Sequence, residues 1–180
     1  MRQTIYKVFM AWDYEKEEEW LNEMSAKGLQ LVSVSLIRYE FEEAEAGEYI
    51  YRIELLDHLP AHPESRAYIR FLEDTGAEHI GSYFRWVYIC KKRADGAFDL
   101  YSDRQSRIKH YGRILLLLYS ISALFVITFT VNFIDYVSSG NTTNLVFMII
   151  HFIVGLLMVR GIFSLLKKIR KLKKETTITE

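Results

Sequence analysis

A single cysteine, Cys90, stands in 180 residues. No intrachain disulfide is therefore available, and a reducing compartment is the expected home. The thiol itself reads as a small buried apolar group in a strand. Catalytic signatures are missing as well: there is no phosphate-cradling glycine loop, no zincin helix and no nucleophile elbow. The opening run Ile5-Tyr-Lys-Val-Phe-Met10 is short and leads at once to Asp13 and Glu15, without the cleavage site of a secretory signal. Clustered positive charge is absent from residues 1–103, which hold 12 Lys and Arg against 20 Asp and Glu, a balance of −8. Phosphate binding needs the opposite, so direct binding of nucleic acid is not expected. Residues 104–180 hold 11 against 3, a balance of +8, and the net charge of zero hides two physical environments in one chain.

The second environment is marked by a lack of any charge. Ile114 to Ile134 is 21 residues without one. At about 1.5 Å per residue a helix of that length spans roughly 30 Å, the thickness of a bilayer's hydrocarbon core. A soluble core helix would need a polar face, and this segment has none. Leu145 to Leu166 is a second such run, interrupted by Arg160 near its far end, where a long guanidinium can reach the headgroups. The expected division is a soluble domain over 1–103, a basic juxtamembrane connector over 104–113, spans over 114–134 and 145–166 joined by a short outer loop over 135–144, and a basic tail over 167–180. Arg104, Arg107, Lys109 and Arg113 precede the first span, and Lys167, Lys168, Arg170, Lys171, Lys173 and Lys174 follow the second. By the positive-inside rule both termini are expected in the cytoplasm of a cell (plasma) membrane protein that crosses twice. Asn132 and His151 are the polar residues of interest within the spans, and the expectation for them is a helix–helix hydrogen bond rather than a proton path.

Residues 1–103 read as alternating strands and helices. Thr4 to Trp12 is rich in strand-forming residues, and its Tyr6, Val8, Met10 and Trp12 fall on one face at period two. Asp13 is placed to cap a helix with Trp20, Leu21 and Met24 as its buried stripe and Gly28 as its end. Leu29 to Phe41 reads as one strand, forming an antiparallel hairpin with Tyr49 to Leu55. Pro63 opens a second helix with Tyr68, Phe71 and Leu72 inward and Gly76 at its close. His79 to Lys92 reads as a further strand, and Asp95-Gly96 as a hairpin turn into Phe98 to Tyr101. The order β-α-β-β-α-β-β predicts an α+β fold, a ferredoxin-like antiparallel sheet with two helices on one face and an added edge strand, followed by the transmembrane helical hairpin.

Candidate chemistry is thin. Arg38, Arg52 and Arg85 lie in tyrosine-rich strands and could together bind an anion or a partner's acidic patch on an open sheet face. The more ordinary reading pairs them with Glu40, Glu54 and Glu78. His58 and His62 cluster with Asp57 and Glu64, but sequence supplies no further ligand, and a solvated loop before a helix is the reading preferred over a metal site. Glu15, Glu17, Glu18 and Glu19 read as a solvated helix start. No catalytic, cofactor or metal residue is assigned, and no cofactor is expected.

The stretch Trp12-Asp-Tyr-Glu-Lys-Glu-Glu-Glu-Trp-Leu-Asn-Glu-Met-Ser-Ala-Lys-Gly28, with the later Gly47-Glu-Tyr-Ile-Tyr-Arg-Ile-Glu-Leu55, resembles an uncharacterised bacterial family, domain-of-unknown-function family 2812. The resemblance covers roughly residues 5–103, and members of that family continue into membrane spans. It implies no activity and no catalytic residues. Its genes often stand beside DNA-binding regulators of the PadR type, which implies a membrane-held partner of such a regulator. The expected function is a membrane-anchored cytoplasmic regulatory or adaptor protein. Its partners are the lipid bilayer, a basic DNA-binding regulator, and a second copy through the membrane helices. The alternative is a tethered small-ligand-binding or enzymatic domain.

Overall fold

Strand, helix, strand, strand is written twice in the first unit of the computed structural model, Met1–Ser102. The structure describes residues 2–101 and 103–177. The first copy comprises β1 (Arg2–Tyr6), α1 (Tyr14–Ala26), β2 (Leu29–Val34) and β3 (Arg38–Glu43). The second comprises β4 (Tyr49–Leu55), α2 (Pro63–Asp74), β5 (Glu78–Tyr83) and β6 (Trp86–Lys92). Each copy makes an antiparallel three-stranded sheet with its last strand in the centre, in the orders β1-β3-β2 and β4-β6-β5. The register repeats with the topology. Leu31 faces Phe41 as His79 faces Ile89, and Val34 faces Tyr39 as Ser82 faces Val87. Both hairpins also carry a register shift at the same place, between Leu31 and Ser33 in one and between His79 and Gly81 in the other. The copies meet where β2 lies beside β5. There a side chain on Gly81 would come within 3.5 Å of Val34.

The α+β class is as expected from the sequence, but the strand pairing differs. Leu29 to Phe41 is not one strand: the chain turns at Ser35, whose N–H bonds the Arg38 carbonyl at 2.9 Å, and returns as β3. His79 to Lys92 likewise folds back on itself, with Phe84 in the left-handed region at φ 54°. β4 consequently pairs with β6 and makes no hairpin with the strand before it. Two small sheets stand in place of one ferredoxin-like sheet. The Asp95-Gly96 segment closes a short 3-10 helix (Arg93–Asp95) and leads into no strand among the described residues. Instead Phe98 is buried in the cluster of Leu56, Ile69, Leu72, Ala77, Val87 and Ile89, with Leu100 packed against it.

The core follows from alternation. Tyr39 and Phe41 are buried on β3 while Arg38 is exposed, and the Trp20 ring of α1 meets both edge-on, with centroids at 4.9 and 5.7 Å. On β6, Val87, Tyr88, Ile89 and Cys90 are all buried, so this strand is covered on both faces. Val87 and Ile89 share the cluster with Ile69 and Leu72 of α2, while Tyr88 reaches α1. Cys90 is the buried apolar group its sequence suggests, and burial pushes its thiol up to about 12. Phe71, by contrast, is exposed. Gly28 ends α1 at φ +80°, where a Cβ would stand 3.0 Å from the Ala44 carbonyl, so glycine is required there on two counts.

The second unit, Asp103–Glu180, is a pair of long helices, α3 (Arg104–Ser139) and α4 (Thr142–Thr177), packed as a hairpin. Both are long and apolar enough to cross a membrane. The connection is shorter than its sequence suggests: Gly140 takes φ 66° and bonds the Tyr136 carbonyl at 2.9 Å, and the Asn141 side chain then caps α4 through the Thr143 N–H at 2.9 Å. Apolar side chains face outward, with Leu124 63%, Val126 65% and Phe152 62% exposed. Water does not tolerate so continuous an apolar surface, and lipid does. Three hydroxyls of the first span donate inside their own helix, Ser120 to the Leu116 carbonyl at 2.9 Å, Thr128 to the Leu124 carbonyl at 3.0 Å and Thr130 to the Val126 carbonyl at 2.9 Å, whereas the Ser122 hydroxyl is buried without a partner. Asn132 and His151 also bond inside their own helix, on the Thr128 carbonyl at 2.7 Å and the Phe147 carbonyl at 2.6 Å, where a helix–helix hydrogen bond was expected. Across the hairpin the His151 ring lies against the Phe125 ring, with centroids 5.2 Å apart.

Candidate functional site

Helix α1 carries two functional stripes at helical spacing. Glu17, Trp20, Leu21 and Met24 form the first, and all four are buried. Glu18, Asn22 and Ser25 form the second, and they act on the outer edge of β4. Glu18 accepts the Ile53 N–H at 2.7 Å. Asn22 accepts the Tyr51 N–H at 2.9 Å and donates to the Tyr51 carbonyl at 3.2 Å. Ser25 donates to the Tyr49 carbonyl at 2.8 Å. These side chains take the place of a neighbouring strand and close an edge that would otherwise offer its backbone groups to another chain.

Glu17 sits where the two copies meet. Its Oε1 accepts from the Tyr39 hydroxyl of β3 at 2.7 Å and from the Tyr88 hydroxyl of β6 at 2.6 Å. Burial holds the Glu17 carboxyl above the usual carboxylate range, against the pull of the two tyrosine hydrogen bonds. The tyrosines are held protonated, first by burial and then by the negative charge of Glu17. Tyr51 is buried close by, and its hydroxyl accepts the Leu31 N–H at 2.9 Å, joining β4 to β2. Burial also pushes the Glu18 carboxyl up to about 7, opposed by the Ile53 amide and the Arg52 charge. The solvated glutamate run expected from the sequence is thus corrected at two of its four positions. The signal was helical phase: Glu17 lies on the same stripe as Trp20, Leu21 and Met24.

The three strand arginines go to separate elements, each with its own partner. Arg38 on β3 pairs with Glu40 of the same strand. Arg52 on β4 donates to the Tyr51 carbonyl at 2.9 Å. Arg85, in the turn before β6, donates through Nε to the Leu56 carbonyl at 2.8 Å. Glu54, one expected partner, is buried and accepts from the Tyr68 hydroxyl at 2.7 Å. In the helical unit Arg104, Arg107, Lys109 and Arg113 occupy the first turns of α3, and Lys167, Lys168, Arg170 and Lys171 the last part of α4. Arg104 donates to the Glu175 carbonyl at 3.2 Å, so both basic sets lie at the end of the hairpin away from Gly140. A groove of about 370 Å³ between the helices has two polar side chains in its lining, Ser122 and His151, among apolar ones such as Phe125, Phe129 and Leu156.

One surface of the soluble unit is apolar and open. β1 is the outer strand of its sheet and has no strand on its far side. Tyr6 is 68% exposed and Val8 64%. The inward side is taken by Phe9, which packs on Trp20 at 5.5 Å. The Lys7 N–H bonds the Ile37 carbonyl at 2.9 Å, which brings the turn between β2 and β3 alongside. That turn adds Leu36, 62% exposed, and the exposed Ile37. Four exposed apolar side chains at the end of an edge strand are the kind of surface on which partners dock.

No curated protein and no solved structure matches the chain. A family model described as a protein of unknown function (DUF2812) matches residues 13–124, from the start of α1, through the rest of the first copy and the whole of the second, into α3. The match covers more than half of the sequence, and the chain belongs to this family of unknown function, DUF2812.

Proposed function

We propose that the chain is a membrane-anchored cytoplasmic adaptor, whose soluble unit binds a DNA-binding regulator and holds it at the plasma membrane. The observation that carries this reading is the open edge of β1 with Tyr6, Val8, Leu36 and Ile37 exposed beside it. An extended segment of a partner adds to such an edge by main-chain hydrogen bonds and is selected by apolar contacts. The balance of −8 over residues 1–103 favours a basic partner. Anchoring rests on the two apolar helices. The basic residues gathered at one end of the hairpin support an orientation with both termini in the cytoplasm.

The test is a pull-down of the full chain from its own host in mild detergent, compared with a Tyr6→Lys, Val8→Lys double variant. Both side chains are largely exposed, so the variant is expected to keep the wild-type thermal midpoint. A DNA-binding regulator retained by wild type and reduced about tenfold or more in the variant is the expected result, since hot-spot apolar contacts are each worth about 1–2 kcal/mol or more. Equal recovery on both baits would overturn the assignment of this edge.

A second reading, a tethered small-ligand-binding domain, has one observation in its favour. The Glu17 carboxyl with Tyr39 and Tyr88 is a convergent polar group inside an apolar core. On this reading the ligand would bind beside Glu17, since Arg38, Arg52 and Arg85 go to separate partners.

A further inference from the structure

The loop Asp57-His-Leu-Pro-Ala-His-Pro-Glu64 carries two imidazoles and two carboxylates in eight residues. In the structure His58, His62 and Glu64 converge, with one ligand atom from each within 4.8 Å of the others. The two rings stack with centroids 4.1 Å apart and planes at 28°. His58 Nε2 stands 3.4 Å from Glu64 Oε2.

The backbone around them is fixed. Pro63 sets the first helical position of α2, and His62 is its N-cap, in an extended conformation at φ −67° and ψ 142°. The His62 N–H bonds the Leu59 carbonyl at 2.9 Å and closes the turn before the helix. Ser65, in the first turn of α2, donates to the His58 carbonyl at 3.2 Å and ties the far end of the loop to the same turn. Three ligand-bearing residues are thus held by a fixed loop and the first turn of α2, His58 in the loop, His62 at the N-cap and Glu64 inside the helix, and only side-chain rotation remains free.

We propose that His58, His62 and Glu64 form a binding site for a divalent transition-metal ion of the zinc type. Two imidazole nitrogens and one carboxylate oxygen suit Zn²⁺ and its neighbours, whereas Ca²⁺ and Mg²⁺ favour oxygen alone. Tetrahedral Zn²⁺ with bonds of about 2.0–2.1 Å sets its donors about 3.4 Å apart. The His58–Glu64 pair already stands at that separation, and rotation of His62 closes the triangle. At His62 the ion competes with the Glu64 N–H, which reaches Nδ1 at 3.4 Å. A contact that long is weak, so little is lost when the metal replaces it. The positive end of α2 opposes a cation, and the Glu64 carboxylate offsets it. Three protein ligands leave a coordination position for water or for a group on a partner.

The experiment is a titration of the full chain, in detergent micelles and without a polyhistidine tag, with Zn²⁺ against a chromophoric chelator. Wild type is expected to take up one ion at this site and to gain thermal stability with added Zn²⁺, while Ca²⁺ and Mg²⁺ give neither. His58→Ala and Glu64→Gln each are expected to weaken uptake by about tenfold or more, since even an outer-shell partner is worth about 10–100-fold. His62→Asn keeps a good helix N-cap while removing the imidazole, and is expected to weaken uptake equally without loss of fold. Zn²⁺ uptake unchanged in all three variants, or no uptake by wild type, would overturn the site.

Discussion

Replacing Glu17 by alanine is expected to destabilise the soluble unit by about 3 kcal/mol. The loss is not that of an exposed helix-start glutamate. It leaves the Tyr39 and Tyr88 hydroxyls buried without their acceptor, and a stranded buried polar group costs about 1–3 kcal/mol each. For a unit of this size the thermal midpoint should fall by roughly 12–24 °C. Trp12, Trp20 and Trp86 are the only tryptophans of the chain, and all lie in this unit, so their fluorescence reports its unfolding in the full chain. The control is the triple variant Glu17→Ala, Tyr39→Phe, Tyr88→Phe. If stranded hydroxyls are the cause, removing them recovers much of the loss, because apolar groups of matching shape need no acceptor. A triple variant as unstable as Glu17→Ala alone would mean that the carboxylate acts in some other way.

Substituting Glu18 by glutamine is expected to stabilise the chain at pH 8 by about 2 kcal/mol and to leave it nearly unchanged below about pH 4.5. The sign follows from the pKa. The Glu18 carboxyl is pushed up to about 7 from an ordinary 4.5, chiefly by burial. Between those values the folded state holds a proton that the unfolded state has released, so the stability contributed by this group falls as pH rises through the window. The full shift would correspond to about 3 kcal/mol, and partial solvent access reduces it. Glutamine keeps an oxygen for the Ile53 N–H and has no charge to bury. Denaturant midpoints at pH 4, 6 and 8 measure the effect. A constant difference between variant and wild type across that range would show that Glu18 does not titrate in it.

Much of the architecture was legible because its signals are local and redundant. The membrane helices announce themselves by length and lack of charge, and α1 and α2 by their glycine ends and, for α2, Pro63. Strand pairing was not legible in the same way. Leu29 to Phe41 holds its phase well enough to pass for one strand, because Leu36 and Ile37, which occupy the turn, are apolar and exposed. The second hairpin hides its turn behind Phe84, a residue type that rarely takes positive φ. Period two also cannot say which face is inward. On β1 and the residues after it, Tyr6, Val8 and Met10 share one face and are exposed, while Phe9 on the opposite phase packs on Trp20. Once both hairpins are recognised, the repeat becomes visible in the sequence order itself.

The candidate site was less legible for a physical reason. A carboxylate in a run of glutamates belongs by default to solvent, and only its helical phase with Trp20, Leu21 and Met24 argues otherwise. The tyrosine partners come from strands far away in sequence and from different sheets. The metal-ligating loop was visible as a cluster of residue types, yet its convergence depends on the turn and the helix cap that bring His58 of the loop against His62 and Glu64 at the start of α2.

An adaptor for a cytoplasmic regulator must present its soluble unit to the cytoplasm, and cysteine labelling measures this directly. Cys90, the only native thiol, is buried and held far above the ordinary thiol range, so it gives a quiet background for introduced cysteines. Gly140 has no neighbour that a side chain would strike, although its left-handed conformation makes a substitution strained; Asn141 beside it is exposed and is the better position. With Asn141→Cys and Lys173→Cys made separately, a membrane-impermeant maleimide is added to intact cells. The account predicts labelling at position 141 from outside and labelling at 173 only after the membrane is opened. Labelling at 173 in intact cells, with 141 protected, would place the soluble unit outside and contradict the adaptor reading.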